Sequence, residues 1–234
     1  MLVYRYDQVE STQDLAKDYL KNKNKKIAAF VAQGQTNGYG KQGHFFYSPA
    51  QTGIYFSIAF PNFEIVQDKI NLLTPCIATY VVDVLRKFYP QKDFRLKWVN
   101  DIFLENKKVA GILTEYENNS LIIGVGINVT THNFPEGIKF KAGYISDTFF
   151  EHKKMTNELL QAVELASKNY GQVQFMEQYR QLSWLIGKKV NLKLGKKEVM
   201  GVVKTIDDAG KLVIFTDNQI KRFSSGEVTK VELP

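Results

Sequence analysis

The sequence predicts an α+β protein, in which a mixed sheet with flanking helices is followed by a small β-barrel. Between residues 1 and 185, apolar runs of strand length are interspersed with segments of helical period. From residue 186 onward, short alternating runs are separated by turn sequences such as LGKKE, DDAGK and SSGE. We therefore expect a domain of residues 1–185 and a β-barrel of residues 186–234.

Composition and charge narrow the class of protein. The chain has 234 residues, 44% hydrophobic and 24% charged, which is the balance of an ordinary soluble globular protein. It shows no leader sequence and no apolar run of the ~20 residues that span a membrane, so we expect a cytoplasmic protein without a membrane partner. The formal charge of +7 favours anionic partners. No nucleic-acid motif accompanies the lysine runs, so specific DNA binding is not expected.

The first predicted elements are a strand, a helix and two further strands. Residues 2–9 alternate between apolar and polar side chains, and Ser11 stands at the N-cap position of the helix that follows. A strand-to-helix turn is therefore expected at residues 11–13. Residues 27–33 and 53–60 are apolar runs typical of buried strands.

The connection between those two strands is far longer than the ~4–6 residues typical of a compact domain. It contains Gly38, Gly40 and Gly43 together with Lys41. Glycines let backbone N–H groups approach an anion, and a lysine adds positive charge. The connection is either an anion-binding loop or a flexible surface loop, and a loop of this composition is more often the latter.

The rest of the first domain is predicted from further helix and strand patterns. A helix over residues 68–88 includes the single cysteine, Cys76, which we expect in the core. Strands follow at residues 94–99, 102–104, 109–116 and 121–129, and helices at residues 156–170 and 174–182.

Two of these strands contain residues that suit a site better than a core. Lys97 lies in an apolar strand just before Asn100 and Asp101. Its ammonium group either points inward to an anionic partner or faces solvent. Gly124 and Gly126 either let a flat ligand approach the strand or mark a bulge.

Common catalytic signatures are missing from the sequence. The three histidines, His44, His132 and His152, have no metal-ligand spacing to one another or to the cysteine. Neither a GxSxG elbow nor a GxxxxGK[ST] phosphate loop is present. Covalent catalysis and a zinc site are therefore not expected.

Four motifs together point to a known family. They are VESTQDLAK, AQGQTNGYGKQGHFFYSP, LKWVNDIFLENKKVAGILTE and LIIGVGINV, in that order along the chain. In these motifs, and in KLVIF and IKRFSSGEV near the C-terminus, the chain resembles the biotin–protein ligases through essentially its whole length. A single motif would mean little, but four in family order make the resemblance specific.

The resemblance implies a class II synthetase-like catalytic domain, an SH3-like β-barrel and a two-step reaction. The carboxylate of biotin attacks the α-phosphate of ATP, giving biotinyl-5'-AMP and pyrophosphate, and a lysine of a biotin carboxyl carrier protein then attacks the adenylate. Biotin is the implied substrate, and ATP with Mg2+ the implied cofactor. Such a site must neutralise charge, align two substrates and exclude water.

The resemblance also implies two groups of site residues. Those for biotin are Ser11, Thr12, Gln13, Gln35, Gly38, Tyr39, Gly40, Lys41, Lys97, Gly111 and Gly124. Those for ATP are Lys41, His44, Phe46, Lys97, Asn100, Asp101 and Asn128. Lys41 and Lys97 are the implied catalytic residues. No cluster of metal-binding side chains is expected, and Mg2+ would arrive with ATP near Asp101.

The chain departs from the family pattern at several positions. Arginines are usual in the family where Tyr39, Lys41 and His44 stand, asparagine where Gln13 stands, tryptophan where Phe46 stands and proline where Val99 stands. Lysine keeps the charge of arginine but loses its bidentate fork. We therefore expect a weaker hold on phosphate than in an arginine-loop relative.

Two other functions stay open at this point. Lipoate–protein ligases share the fold and reaction type, but their Arg-Arg-x-Ser-Gly-Gly-Gly loop is missing here. A non-catalytic nucleic-acid or carrier-binding module is supported only by the charge and the barrel. Because the chain begins at the first catalytic strand, without the helix-turn-helix of many bacterial relatives, no repressor function is expected. The resemblance is compatible with a monomer and with a homodimer.

Overall fold

A computed structural model describes residues 1–148 and 150–232. Within them, α-helices flank a seven-stranded mixed sheet, and a five-stranded antiparallel sheet follows along the chain. The predicted α+β class is therefore confirmed. The helices are α1 (Thr12–Lys21), α2 (Leu73–Phe88), α3 (His152–Asn169) and α4 (Phe175–Gln181).

The first sheet holds strands β1 to β7. They are β1 (Leu2–Val9), β2 (Ala28–Gln35), β3 (Gly53–Phe60), β4 (Arg95–Lys97), β5 (Asp101–Leu104), β6 (Lys107–Glu117) and β7 (Ser120–Asn128). Their order is β1-β2-β3-β7-β6-β5-β4. Only β1 and β2 run parallel among these neighbours, because α1 returns the chain between them.

The beginning of the chain folds as its sequence predicts. Strands β1 and β3 have the predicted bounds, and the Ser11 hydroxyl caps α1 by accepting a hydrogen bond of 3.2 Å from the Gln13 backbone N–H. Cys76 is fully buried in α2, as expected. The strand expected at residues 94–99 ends instead at Lys97, because residues 98–100 form a turn and the Trp98 side chain reaches the second sheet.

The two faces of the first sheet are covered differently. Alternate residues of a strand point to opposite faces. Large apolar residues of β3 and β7 pack in the main core with α2, α3 and α4, among them Phe56, Ile58 and Ile123. The α1 face holds a smaller cluster that includes Phe30 and Ala59. The α1 face is therefore where the sheet leaves space beside it.

The second sheet holds strands β8 to β12. They are β8 (Lys189–Leu194), β9 (Lys197–Ile206), β10 (Leu212–Thr216), β11 (Gln219–Phe223) and β12 (Glu227–Val231), in the order β11-β10-β9-β8-β12. Leu233 and Pro234, the end of the expected barrel domain, lie outside the described residues. No helix in the described part of the chain is both long and apolar enough to cross a membrane.

The two sheets are joined by a continuous core and by a buried hydrogen bond. Val190, Leu192 and Ile214 of the second sheet belong to the same apolar cluster as the core under α2. The indole N–H of Trp98 donates to the carbonyl oxygen of Gly210 over 2.9 Å in a buried position. The core therefore crosses the expected boundary at residue 185, and the division into two domains stays a prediction.

Replacing Trp98 by phenylalanine should weaken this junction. The ring would be largely kept, but the buried carbonyl of Gly210 would lose its donor, at a cost of about 1–3 kcal/mol. Urea unfolding followed by circular dichroism measures the loss. Trp184→Phe is the matched control, because its indole N–H donates to Asn106 in an exposed position. Equal losses in the two variants would contradict this account.

Candidate active site

The candidate site lies on the α1 face of the first sheet. Four strand residues that face it are small: Ser57 on β3, Gly111 on β6, and Gly124 and Gly126 on β7. They are direct partners in the ladder, Ser57 opposite Gly124 and Gly111 opposite Gly126. Small side chains at neighbouring positions leave a depression next to the backbone, which a large residue at any of them would fill.

A first cavity occupies this depression. Ten of the predicted site residues line it: Ser11, Thr12, Gln13, Gln35, Tyr39, Gly40, Phe46, Asn100, Gly111 and Gly124. Ser11, Thr12 and Gln13 are nearly fully buried at the start of α1. The strand-to-helix turn predicted there therefore delivers three polar side chains to the floor of the cavity.

Hydrogen bonds orient the polar groups around the first cavity. The Gln35 side-chain oxygen accepts from the backbone N–H and the hydroxyl of Thr12, over 2.8 and 3.0 Å. The Ser57 hydroxyl donates to the Gln13 side-chain oxygen over 2.8 Å. The Gln13 amide nitrogen donates to Glu115 over 2.7 Å. Both ends of the Gln13 amide are thus held.

The two glycines of β7 allow the Gln13 side chain and the Phe46 ring to lie close to the strand backbone. A methyl group at Gly124 would lie 2.5 Å from the side-chain oxygen of Gln13, and one at Gly126 would lie 2.6 Å from the Phe46 ring. Strand β7 pairs in continuous register with both neighbours, so the alternative of a bulged strand is wrong.

A second cavity adjoins the first. Seven of the predicted site residues line it: Gly40, Lys41, His44, Phe46, Lys97, Asn100 and Asp101. The two cavities share the wall residues Gly40, Phe46, Asn100 and Lys108. The first offers mainly neutral hydrogen-bonding groups, whereas the second is lined by three lysines, Lys41, Lys97 and Lys108, and by the carboxylates of Asp101 and Glu227.

Lys97 faces inward, which settles the alternatives left open by its spacing. It lines the second cavity, and its ammonium nitrogen lies 5.6 Å from the centre of the Phe103 ring. Burial lowers the pKa of Lys97, an effect that the nearby carboxylate of Asp101 opposes. A half-buried ammonium group of this kind is available to stabilise a phosphate or carboxylate.

Lys108 is a site residue that sequence reasoning missed. It lines both cavities, and its ammonium nitrogen lies 2.6 Å from Asp101 and 5.9 Å from the centre of the Phe46 ring. In the sequence it stands beside Lys107, after a polar turn, where a lysine is normally exposed to solvent. Its position within the glycine-containing strand β6 was the available signal.

The second sheet also contributes to the second cavity, which the sequence did not indicate. Gly226, Glu227 and Val228 line it at the start of β12. Glu227 raises the pKa of Lys97, in opposition to the larger effect of burial. The cavity is therefore complete only when the two sheets are in contact.

The glycine-rich connection folds over both cavities. Its backbone closes on itself, since the Gly40 N–H donates to the carbonyl of His44 and the Phe46 N–H to that of Gly38, each over 2.8 Å. Lys41 and His44 are exposed at the rim of the second cavity. A connection with this geometry forms an ordered wall of both cavities.

Two predicted site residues line neither cavity. Gly38 is buried beneath the loop, beside Gln35 and Ser48. Asn128 is buried at the end of β7, where its amide nitrogen donates to the carbonyl of Gly143 over 3.1 Å. Their implied roles stay predictions. Within the described residues, no group of three or more His, Cys, Asp or Glu side chains could hold a metal ion.

Comparison with known families decides the relationship. The model of the biotin/lipoate A/B protein ligase family matches residues 6–131, which is more than half of the chain. The chain belongs to this family. A second model, the biotin protein ligase C terminal domain, matches residues 185–231. The resemblance to biotin–protein ligases is thereby confirmed.

Individual members of the family are similar at moderate identity. The bifunctional ligase/repressor BirA of Escherichia coli is 30% identical over 213 residues, covering 86% of this chain and 65% of its own length. The biotin--[acetyl-CoA-carboxylase] ligase of Mycobacterium tuberculosis is 27% identical over 206 residues, or 85% of this chain and 77% of its own. This chain thus spans slightly less than two thirds of the E. coli protein.

A solved structure of the family matches nearly the whole chain. The biotin protein ligase from Aquifex aeolicus, in complex with biotin and ATP, superposes with a TM-score of 0.85 at 28% identity. The match covers 97% of both chains. The sheet order and the arrangement of the helices are therefore those of this family.

The burial of Lys97 predicts a pH-dependent stability. Because burial lowers its pKa below the ordinary 10.5, the folded chain binds fewer protons than the unfolded chain between those two pKa values. The free energy of unfolding of the wild type therefore increases with pH across that window. Lys97→Met should be more stable than the wild type at about pH 7, and its advantage should shrink by about pH 10.

Urea unfolding at the two pH values measures this difference. The exposed Lys153 supplies the control, since Lys153→Met should change the stability by less than about 0.5 kcal/mol at either pH. A Lys97→Met advantage that grows with pH would mean that the buried lysine is stabilised by its charge.

Proposed function

We propose that this protein is an ATP-dependent biotin–protein ligase. It activates biotin as biotinyl-5'-AMP, with release of pyrophosphate, and transfers the biotinyl group to a lysine of a biotin carboxyl carrier protein. The observation that carries the proposal is the pair of adjoining cavities that share Gly40, Phe46, Asn100 and Lys108. A reaction between two bound substrates needs adjoining compartments, because the reacting atoms must approach to about 3–3.5 Å.

The first cavity suits the head group of biotin. A ureido ring presents two N–H donors and one carbonyl acceptor, so its site must supply both kinds of partner. Ser11, Thr12, Gln13 and Gln35 offer hydroxyl, amide and backbone groups there, and the glycines of β6 and β7 give a flat bicyclic ring access to the strand backbone. The family resemblance assigns Gly38 to the same group.

The second cavity suits the reacting phosphate. In the proposed mechanism, Lys97 and Lys108 neutralise the charge that grows between the biotin carboxylate and the α-phosphate, and Lys41 approaches from the loop. Phe46, His44, Asn100 and Asn128 belong to the nucleotide side. Closure of the loop excludes water from the mixed anhydride.

The Mg2+ that accompanies ATP would find a carboxylate in Asp101, which lines this cavity next to Lys108. A magnesium ion is commonly held by one or two carboxylates with phosphate oxygens and water, so the donor set fits. Once bound, the ion would offset part of the phosphate charge. Asp101 itself contributes by fixing the ammonium group of Lys108 over 2.6 Å.

The relatives support the choice of substrates. The Aquifex aeolicus enzyme was solved with biotin and ATP, and the Mycobacterium tuberculosis relative bears the name of a biotin--[acetyl-CoA-carboxylase] ligase. The match to the biotin protein ligase C terminal domain favours biotin over lipoate. A cytoplasmic location and the lack of repressor function stay predictions of the sequence, which is compatible with a monomer and with a homodimer.

Biotin-dependent ATP–pyrophosphate exchange tests the proposal, because it isolates the first step and needs no carrier. Lys97→Ala should lower the exchange rate by about 10²–10³-fold, since it removes a donor that stabilises the transition state. Lys153→Ala, at an exposed position on α3, is the control and should retain the wild-type rate. Exchange with lipoate in place of biotin would instead indicate a lipoate–protein ligase. Exchange with neither acid would refute the proposed function.

A methyl group at Gly124 should selectively weaken biotin binding. In Gly124→Ala the new methyl group would displace the Gln13 amide, and overpacking of this kind costs about 1–3 kcal/mol, so the KM for biotin should rise by about 5- to 150-fold. The KM for ATP should stay within about twofold of wild type.

Gly137→Ala is the matched control for this variant, because nothing lies within 4 Å of the added methyl group. Steady-state exchange with biotin and ATP varied in turn gives both constants. An equal rise in the two KM values would mean that Gly124 supports the fold rather than the biotin compartment.

A further inference from the structure

The Tyr39 side chain makes two hydrogen bonds to helix α1. Its hydroxyl donates to Asp14 over 2.6 Å and accepts from the ammonium group of Lys17 over 2.9 Å. Tyr39 stands in the first half of the glycine-rich loop, whereas Asp14 and Lys17 are one turn apart on α1. These bonds hold the loop against a rigid element without any ligand.

The same contacts continue to the first cavity. Lys17 forms an ion pair of 3.0 Å with one oxygen of Glu115 on β6, and the other oxygen of Glu115 accepts from the Gln13 amide nitrogen over 2.7 Å. Burial alone would lower the pKa of Lys17, but hydrogen bonds to Tyr39 and Glu115 outweigh it and raise the pKa above the ordinary value. Lys17 therefore remains charged and keeps both partners.

Glu115 decides which way the Gln13 amide faces. A carboxylate only accepts hydrogen bonds, so the NH2 end of Gln13 must turn toward Glu115 and the oxygen must turn away from it. That oxygen accepts from Ser57 and lies where a side chain at Gly124 would be. The cavity is thereby presented with a hydrogen-bond acceptor at this point.

We propose that Asp14, Lys17, Tyr39 and Glu115 are positioning residues that latch the glycine-rich loop to α1 and fix the orientation of the Gln13 amide. The inference rests on the proposed function and deepens it, since the loop and Gln13 are walls of the biotin compartment. The position of the loop and the orientation of the Gln13 amide then depend on each other. The biotin N–H groups then meet an acceptor that is already oriented.

Amide hydrogen exchange in the ligand-free protein tests the loop end of the latch. Tyr39→Phe keeps the ring and removes both hydrogen bonds of the hydroxyl. Exchange at the Gly40 and Phe46 amides, which are bonded within the loop, should accelerate about tenfold. Tyr19→Phe is the matched control, because it removes a hydroxyl bond from α1 to the carbonyl of Lys26, away from the loop. Unchanged exchange in Tyr39→Phe would overturn the latch.

Glu115→Gln tests the other end. Lys17 and Gln13 contact different oxygens of Glu115. In glutamine one of these oxygens is replaced by an NH2 group, which would face one of the two donors with another donor. The same loop amides should exchange faster, and in Tyr39→Phe/Glu115→Gln no faster than in the more affected single variant. Accelerations that multiply in the double variant would show two independent contacts and overturn the coupling.

Pyrophosphate exchange then separates positioning from a loss of fold. Glu115→Gln should raise the KM for biotin about tenfold, with kcat and the KM for ATP within about twofold. A fall in kcat with an unchanged KM for biotin would overturn the assigned role. The amide exchange requires no substrate, so its result tests the latch even if the wild type shows no biotin-dependent activity. Such a lack of activity would refute the proposed function, not the latch.

Discussion

The site depends on an asymmetry between the two faces of one sheet. On the face that packs against α2, strands β3 and β7 carry large apolar side chains, which form the main core. On the opposite face, Ser57, Gly111, Gly124 and Gly126 are small, so side chains of the site such as Gln13 and Phe46 lie directly against the backbone. Each strand serves both purposes because successive residues alternate in direction. The main core thus supports, from the other side of the sheet, the α1 face on which we propose that the ligand binds.

Polar groups enclose that surface in two chains of hydrogen bonds. The first runs from Tyr39 in the loop through Lys17, Glu115 and Gln13 to Ser57, and the second links Thr12 through Gln35 to Ser48 at the far end of the loop. Because each member fixes its neighbour, such a network is more specific than isolated contacts. Its members come from α1, three strands and the loop, so its order depends on the whole first sheet.

Sequence reasoning succeeded where the determinants are local. The bounds of β1 and β3 and the Ser11 cap follow from side-chain periodicity and from one capping hydroxyl. It failed where distant segments meet. Lys108 resembles a turn lysine until Asp101 and Phe46 are placed beside it. Glu115 and Glu227 lie in ordinary polar positions of their strands, and only the tertiary fold brings them to the site. The orientation of Lys97 required the same information.

The contribution of β12 to the second cavity has a consequence for biosynthesis. Chains begin to fold during synthesis, the N-terminal part first. Every residue that lines the first cavity lies between Ser11 and Gly126, so a nascent chain contains all of them before β12 is synthesised. Gly226, Glu227 and Val228, by contrast, are synthesised after every strand of the first sheet. The second cavity is therefore completed after the first, so during synthesis the groups proposed to bind biotin are present before the compartment proposed for the phosphate exists.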